Sequence, residues 1–214
     1  MRLLSSLPPG VTVLAAAKGR TPAEIEAVAA AGISHIGHNY VQEAGMMASA
    51  IDPSVRKNTT WHMIGHLQRN KTQPALRCFD VIDTLDSLAL AAEIELRNEG
   101  TILPILIEIN SGHEANKSGI FPENALNLIE SLTTYVHIQV IGLMTMGPLK
   151  EDPEELRPFF RLTRRLYEAA ALQYPTSMQI LSMGMSDSYQ VAIEEGATMI
   201  RIGTLLFGPR PVKT

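Results

Sequence analysis

Hydrophobic and polar positions fall in blocks along this chain. The first block is Val11 to Ala17, "VTVLAAA", apolar except for Thr12. A run without alternation predicts a strand buried on both faces. It stops on Lys18, and a helical pattern follows. Thr21-Pro22-Ala23-Glu24 has the makeup of a helix start. Thr21 caps, Pro22 suits the first helical position, and Glu24 closes a capping box. Ile25, Val28 and Ala29 form an inward stripe, and Gly32 stands where a left-handed residue ends a helix.

The same alternation recurs at intervals of roughly 20 to 35 residues, the mark of βα units. "SHIGHN" predicts strand two, with a helix near Tyr40 to Ala50. "TWHMIGH" predicts strand three, with a short helix near Lys71 to Cys78. "DVIDTLD" predicts strand four, and "SLALAAEIELRNEG" its helix with Asp86 as the cap. "ILPILIEIN" predicts strand five, with a helix near Glu123 to Leu132. "VHIQVIGLMTM" predicts strand six, with a long helix near Pro153 to Gln173. "SMQILSMG" predicts strand seven, with a helix from Ser188 to Glu195 ended by Gly196. "ATMIRIGTLLFG" predicts strand eight.

Eight such units predict an α/β chain, a single closed (β/α)8 TIM-like barrel over residues 1–214. A doubly wound open sheet is the alternative. In both, ligands sit at the carboxyl ends of the strands. Those ends hold Lys18, Asn39, His66, Asn110, Met144, Ser182, Gly203 and Thr204. Lys18 is thus expected at the mouth of a barrel.

Composition narrows the picture further. Apolar residues make up 45% and charged residues 19%, so the chain is globular. The net charge of −4 gives no support for a general nucleic-acid or anionic-membrane partner. Cys78 is the single cysteine, which excludes an internal disulfide and suits a cytoplasmic setting. The opening "MRLLSSLPPG" is too short in apolar residues for a signal peptide. No window approaches eighteen uninterrupted apolar residues, so no spanning helix is expected.

Several motifs carry chemistry, each with a plainer reading beside it. In "RIGTLLFG", Arg201 lies inside an apolar strand, on the same face as Gly203. A guanidinium there needs partners, because an unpaired buried charge is very costly. Gly203 and Thr204 open a turn whose N–H groups and hydroxyl favour an anion such as phosphate. The plainer reading is an Arg ion-paired across the barrel and a simple turn. In "LSMGMSD", Ser182 and the N–H groups of Met183 and Gly184 suit the other half of an anion cradle. A helix start capped by Ser186 or Asp187 is the plainer reading. His62 and His66, in "WHMIGHLQRNK", straddle a strand and its exit loop and lack the partners of a metal motif. No metal is expected, and His62 is expected to be hydrogen-bonded within the strand. The loop "EINSGHEANKSG", with Lys117, reads as an ordinary solvated connection. Met144 and Met146 suit either a flat ring or plain core filling.

Together these stretches resemble the YggS/PROSC family of pyridoxal phosphate-binding homeostasis proteins. The resemblance is carried by "LAAAKGRTPAEIEAV", "GHNYVQEA", "WHMIGHLQRNK", "SGHEANKSG", "GLMTMGP" and "LSMGMSDSYQVAIEEGATMIRIGTLLFG", in that order from about Val11 to Gly208. It implies a barrel like the N-terminal domain of alanine racemase, holding pyridoxal 5'-phosphate (PLP) as an aldimine of Lys18. It places Asn39 beside the cofactor and Met144 at its ring. It places Ser182, Gly203 and Thr204 at the phosphate, with the Met183 and Gly184 backbone nearby, and Arg201 at the pyridine nitrogen. The family usually reads "GEN" where this chain has Gly37-His38-Asn39, and Ala17 stands where a Ser often precedes the lysine.

An arginine that keeps its proton leaves the pyridine nitrogen unprotonated, which weakens the ring as an electron sink. The expectation is therefore a PLP carrier in vitamin B6 homeostasis, acting indirectly on amino-acid and keto-acid metabolism. No residue is assigned as catalytic. A racemase-type PLP enzyme is the alternative, and an aldolase-type lysine acting on a sugar phosphate is a third reading. The expected partners are PLP and apo forms of PLP-dependent enzymes, with the chain a monomer or weak dimer.

Overall fold

The structure is a computed structural model and describes residues 2–209. Eight parallel strands close on themselves in chain order. They are β1 (Thr12–Ala16), β2 (His35–His38), β3 (Thr60–Met63), β4 (Val81–Leu85), β5 (Leu103–Ile109), β6 (Ile138–Thr145), β7 (Ile180–Ser182) and β8 (Met199–Ile202). The seam is the pairing of β1 with β8, where Leu14 lies opposite Arg201 and Ala15 opposite Ile202. The closed barrel predicted from the eight units is the observed fold, and the open sheet is not.

The helices are α1 (Arg2–Ser6), α2 (Pro22–Ala30), α3 (Val41–Ala50), α4 (Pro53–Lys57), α5 (Thr72–Cys78), α6 (Leu88–Arg97), α7 (Ala125–Leu132), α8 (Arg157–Gln173), α9 (Tyr189–Glu194) and α10 (Thr204–Phe207). The capping box of α2 forms as read from the sequence. Glu24 donates its amide to the Thr21 hydroxyl, and the Glu24 carboxylate accepts the Thr21 amide at 2.7 Å. Such a cap contributes about 1 kcal/mol. Gly32 has φ +97° and Gly196 has φ +90°, the conformations their positions required.

Three helices and one cap depart from expectation, and the first of them, α1, lies where no element was read. The cap of α6 is Ser87, whose hydroxyl accepts from the Leu90 amide. Asp86 instead reaches out of the barrel rim to the Gly119 amide at 3.5 Å. The short α4 has its own start signal, Asp52 before Pro53, which lay hidden in an apparent loop. The expected eighth strand ends at Ile202, and its remainder turns into α10 because Gly203 leaves the sheet.

Alternation within the strands divides two environments. Val13, Ala15, Ile36, Trp61, Met63, Ile82, Ile105, Ile107, Leu143, Leu181, Ile200 and Ile202 join the helices in one apolar core outside the barrel. The residues between them, including Leu14, His35, His62, Asp83, Leu106, Glu108, Met144, Ser182, Met199 and Arg201, face the barrel interior. The interior is tight at Gly37, where a Cβ would stand 2.4 Å from Leu14 and 2.8 Å from Ile64. His38 belongs to the outer core. It is fully buried, its ring centroid lies 4.7 Å from that of Trp61, and neither of its nitrogens has a partner. Burial, with Arg56 nearby, holds its pKa down to about 4.

Candidate functional site

Lys18 follows β1 by two residues. Ala17 between them points into the outer core, so Lys18 continues the interior face of Leu14 and Ala16. It is half-buried, and its Nζ lies 5.1 Å from the centroid of the Tyr40 ring. No carboxylate pairs with it among the described residues. The turn that presents it is held from outside. Gly19 takes φ +70° and donates its amide to the Glu43 carboxylate of α3. Arg20 is buried and donates to the carbonyl of Phe207 at 3.1 Å, and its guanidinium stacks on the Phe207 ring. It fastens the Lys18 turn to the end of α10.

That end matters because β8 is the neighbour of β1. The register that sets Ala15 against Ile202 places Gly203 beside Ala16. A Cβ on Gly203 would lie 3.6 Å from the Ala16 carbonyl. Beyond Gly203 the chain opens into the turn of α10. There the amides of Gly203 and Leu205 converge on one acceptor, the Ser186 hydroxyl, at 3.2 and 3.4 Å. Convergent backbone N–H groups form an anion cradle, and Ser186 is the oxygen it holds in this structure. Thr204 lies between the two donors.

The other predicted residues distribute unevenly around this cradle. Ser182 is fully buried at the end of β7, and its carbonyl and hydroxyl both accept from Arg201. Met183 points into the outer core and its amide donates to the Met199 carbonyl, so that N–H is committed to the sheet. Gly184 takes φ +90°, and a Cβ there would strike Ala192 at 2.5 Å. Met144 is fully buried inside the barrel, whereas Met146 is partly exposed and meets Arg201 at 3.2 Å through its sulfur. Asn39 follows β2 and is half-buried, pressed by Gly65, where a Cβ would stand 2.3 Å from the Asn39 carbonyl oxygen.

Arg201 lies almost fully buried among carbonyls, with no salt bridge among the described residues. The expected plainer reading, an ion pair across the barrel, is therefore not what holds it. Burial lowers its pKa, and the charges of Asp83 and Glu108 oppose that shift. Both carboxylates went unread in the sequence, although each is a lone charge inside an apolar strand, at an inward position of "VIDTL" and "LIEIN". Asp83 ends a buried chain in which His35 meets His62 at 2.9 Å and His62 meets Asp83 at 2.8 Å. His62 is thus hydrogen-bonded in its strand, as expected, and His66 stands half-exposed near Asp86. Burial and the neighbouring Asp86 push the Glu108 carboxyl up to about 7, against the pull of Arg201. Ser186 was read only as a cap. Its role in joining the loop after β7 to the turn after β8 depends on a contact that the sequence does not display.

The β1–β8 seam thus carries a lysine just past the end of β1, converging amides just past the end of β8 and a buried guanidinium within β8. The chain and its fold match known proteins. The profile of the family described as "Alanine racemase, N-terminal domain" matches residues 5–211. A pyridoxal phosphate homeostasis protein of Aquifex aeolicus is 40% identical over 200 residues, covering 92% of this chain and 86% of the relative. The solved structure of PipY from Synechococcus elongatus PCC7942 with PLP bound superposes with a TM-score of 0.86 at 33% identity, covering 97% of each chain. Alanine racemase of Clostridium difficile 630, at 14% identity and TM-score 0.77, shares the fold over 55% of its length. Full-length identity of this order, with a matching fold, means that the chain belongs to the family of pyridoxal phosphate homeostasis proteins.

Proposed function

We propose that this chain binds PLP at the mouth of the barrel and serves intracellular PLP homeostasis as a carrier, without robust turnover of its own. The supporting observation is that the end of β1, two residues before Lys18, lies beside Gly203, whose amide converges with that of Leu205 on one acceptor, while Lys18 has no ion pair among the described residues. The residues fit the group. The cradle accepts a phosphate in place of the Ser186 oxygen, with Thr204 beside it, and Lys18 supplies the amine for the aldehyde. When bound, PLP supplies an aldehyde that condenses with an amine and a ring that withdraws electrons.

The chain's own residues set the limits of that chemistry. Ser182 and the Thr145 carbonyl orient Arg201. A guanidinium keeps its proton, so it offers the ring nitrogen a donor and takes no proton from it. Asn39 and Met144 border the ring, and Gly184 brings the loop after β7 close. Apo forms of PLP-dependent enzymes are the proposed acceptors of the released cofactor, and the cytoplasm is the proposed setting. Among the described residues, no helix is long and apolar enough to cross a membrane.

The test is the visible absorption spectrum of the protein mixed with PLP, repeated for Lys18→Ala. A visible band in the parent that vanishes in the variant is expected. An unchanged band would remove Lys18 from the site. Solvent-deuterium exchange at Cα of alanine is expected to stay at background, and brisk exchange would replace the carrier reading with a racemase-type enzyme.

A further inference from the structure

At the same end of the barrel as the proposed cofactor site lies a cavity of about 300 Å³, between the loops that follow β5, β6 and β7. Its lining includes Glu108, Asn110, Ser111, Met146, Leu156 and Met185. The walls mix apolar side chains such as Met146, Leu156 and Met185 with polar and charged ones, and the volume suits a small ligand. Its frame is fixed. Asn110 donates to the carbonyls of Glu114 and Lys117 and accepts from the Glu114 amide, so one side chain staples the loop after β5.

Charge in this cavity is unbalanced. Its two lysines are already paired, Lys117 with Glu114 at 2.7 Å and Lys150 with Glu155 at 2.8 Å. Glu108 and Asp187 line the same cavity and have no salt-bridge partner among the described residues. Glu108 is 92% buried by its 8% exposure, and its Oε2 has no hydrogen bond. An unpartnered oxygen on a buried carboxyl is costly, and natural structures seldom leave one without a purpose. Arg201 does not serve it, since its terminal nitrogens donate to Ser182, Thr145 and Met146.

We propose that this cavity is a binding site for a small ligand bearing an ammonium group on an apolar body, with the ammonium seated on the Glu108 carboxylate. The apolar part lies against Met146, Leu156 and Met185. Met146 lines this cavity and also touches Arg201, while Lys18, Ser186, Gly203 and Thr204 are not among the lining residues. The groups that face Glu108 are Asp86, Arg201 and the cavity's own Glu114, Lys117, Lys150 and Asp187. With its carboxyl near neutrality, Glu108 releases a proton when the ammonium binds below about pH 7.

The probe is N,N-dimethylbutylammonium, a tertiary amine that has an N–H to donate and cannot condense with an aldehyde. Titration by calorimetry is expected to show saturable binding, weakened at least about tenfold in Glu108→Gln. Butyrate and n-butanol are expected to bind much more weakly. On the unmodified chain, affinity is expected to fall as pH drops from about 8 to about 6, with proton release on binding. That arm decides the matter if the variant does not fold. Equal binding to Glu108→Gln, equal binding of butyrate, or no saturable binding would each overturn the proposal. Because the probe is inert towards PLP, the result is independent of whether Lys18 carries the cofactor.

Discussion

Arg201 of β8 donates from one terminal nitrogen to both the carbonyl and the hydroxyl of Ser182 on β7, at 3.0 and 2.9 Å. The other terminal nitrogen reaches the Thr145 carbonyl on β6 at 2.8 Å. One side chain therefore ties three neighbouring strands together from inside the barrel. Its positive charge is offset only at a distance, by Asp83 and Glu108.

Replacing Arg201 by Met removes these donors and leaves Asp83 and Glu108 without their balancing charge. A loss of about 2–4 kcal/mol is expected in urea denaturation. The Glu108 carboxyl should also titrate higher than in the parent, because Arg201 pulls its pKa down. An NMR titration of the Glu108 side chain checks this second effect.

His38 predicts a particular acid sensitivity. Its folded pKa is about 4 and its ordinary value is 6.5. Below 6.5 the unfolded chain takes up a proton that the folded chain refuses, so stability falls as pH drops from 6.5 towards 4. The difference corresponds to at most about 3 kcal/mol. His38→Phe keeps the ring against Trp61 and should abolish this part of the slope. Parallel denaturation curves for parent and variant between these limits measure it, and identical slopes would refute the assignment.

Gly65 has no room for a methyl group, because a Cβ would meet the Asn39 carbonyl oxygen at 2.3 Å, a backbone atom that cannot swing aside. Gly65→Ala should displace the end of β2. The expected result is a loss of about 1–3 kcal/mol in stability and PLP affinity about tenfold weaker. Denaturation and a PLP titration separate the two effects.

Ser186→Ala deletes the oxygen on which the Gly203 and Leu205 amides converge. The phosphate takes those two amides and the displaced Ser186 hydroxyl then donates to it, so losing that bond is expected to lower PLP affinity about tenfold. Pyridoxal without its phosphate should be affected far less by the same change. A fluorescence titration with each compound distinguishes them, and equal losses would place the phosphate elsewhere.

Local signals read well in this chain. The capping box of Thr21 and Glu24, the left-handed glycines and the order of eight strands all depend on residues near one another in sequence. Sequence spacing also placed Lys18 at a strand end and Gly203 at a turn. It failed where two signals competed within one residue. Asp86 and Ser87 are both good caps, and only the direction of the chain leaving β4 gives the role to Ser87. Met183 offered an amide on paper, and the short β7 commits that amide to β8.

The sequence by itself determined the element order, the barrel and the identity of the lysine at its mouth, because periodicity and capping are local. Only the tertiary structure decided which charges share the interior. Closure of β1 on β8 brings the chain just before Lys18 beside Gly203, and the inward register brings His35, His62 and Asp83 into one chain. It also leaves Glu108 facing a cavity with an unsatisfied oxygen. These are contacts between residues far apart along the chain, and their energies depend on burial, a property that exists only once the barrel has closed.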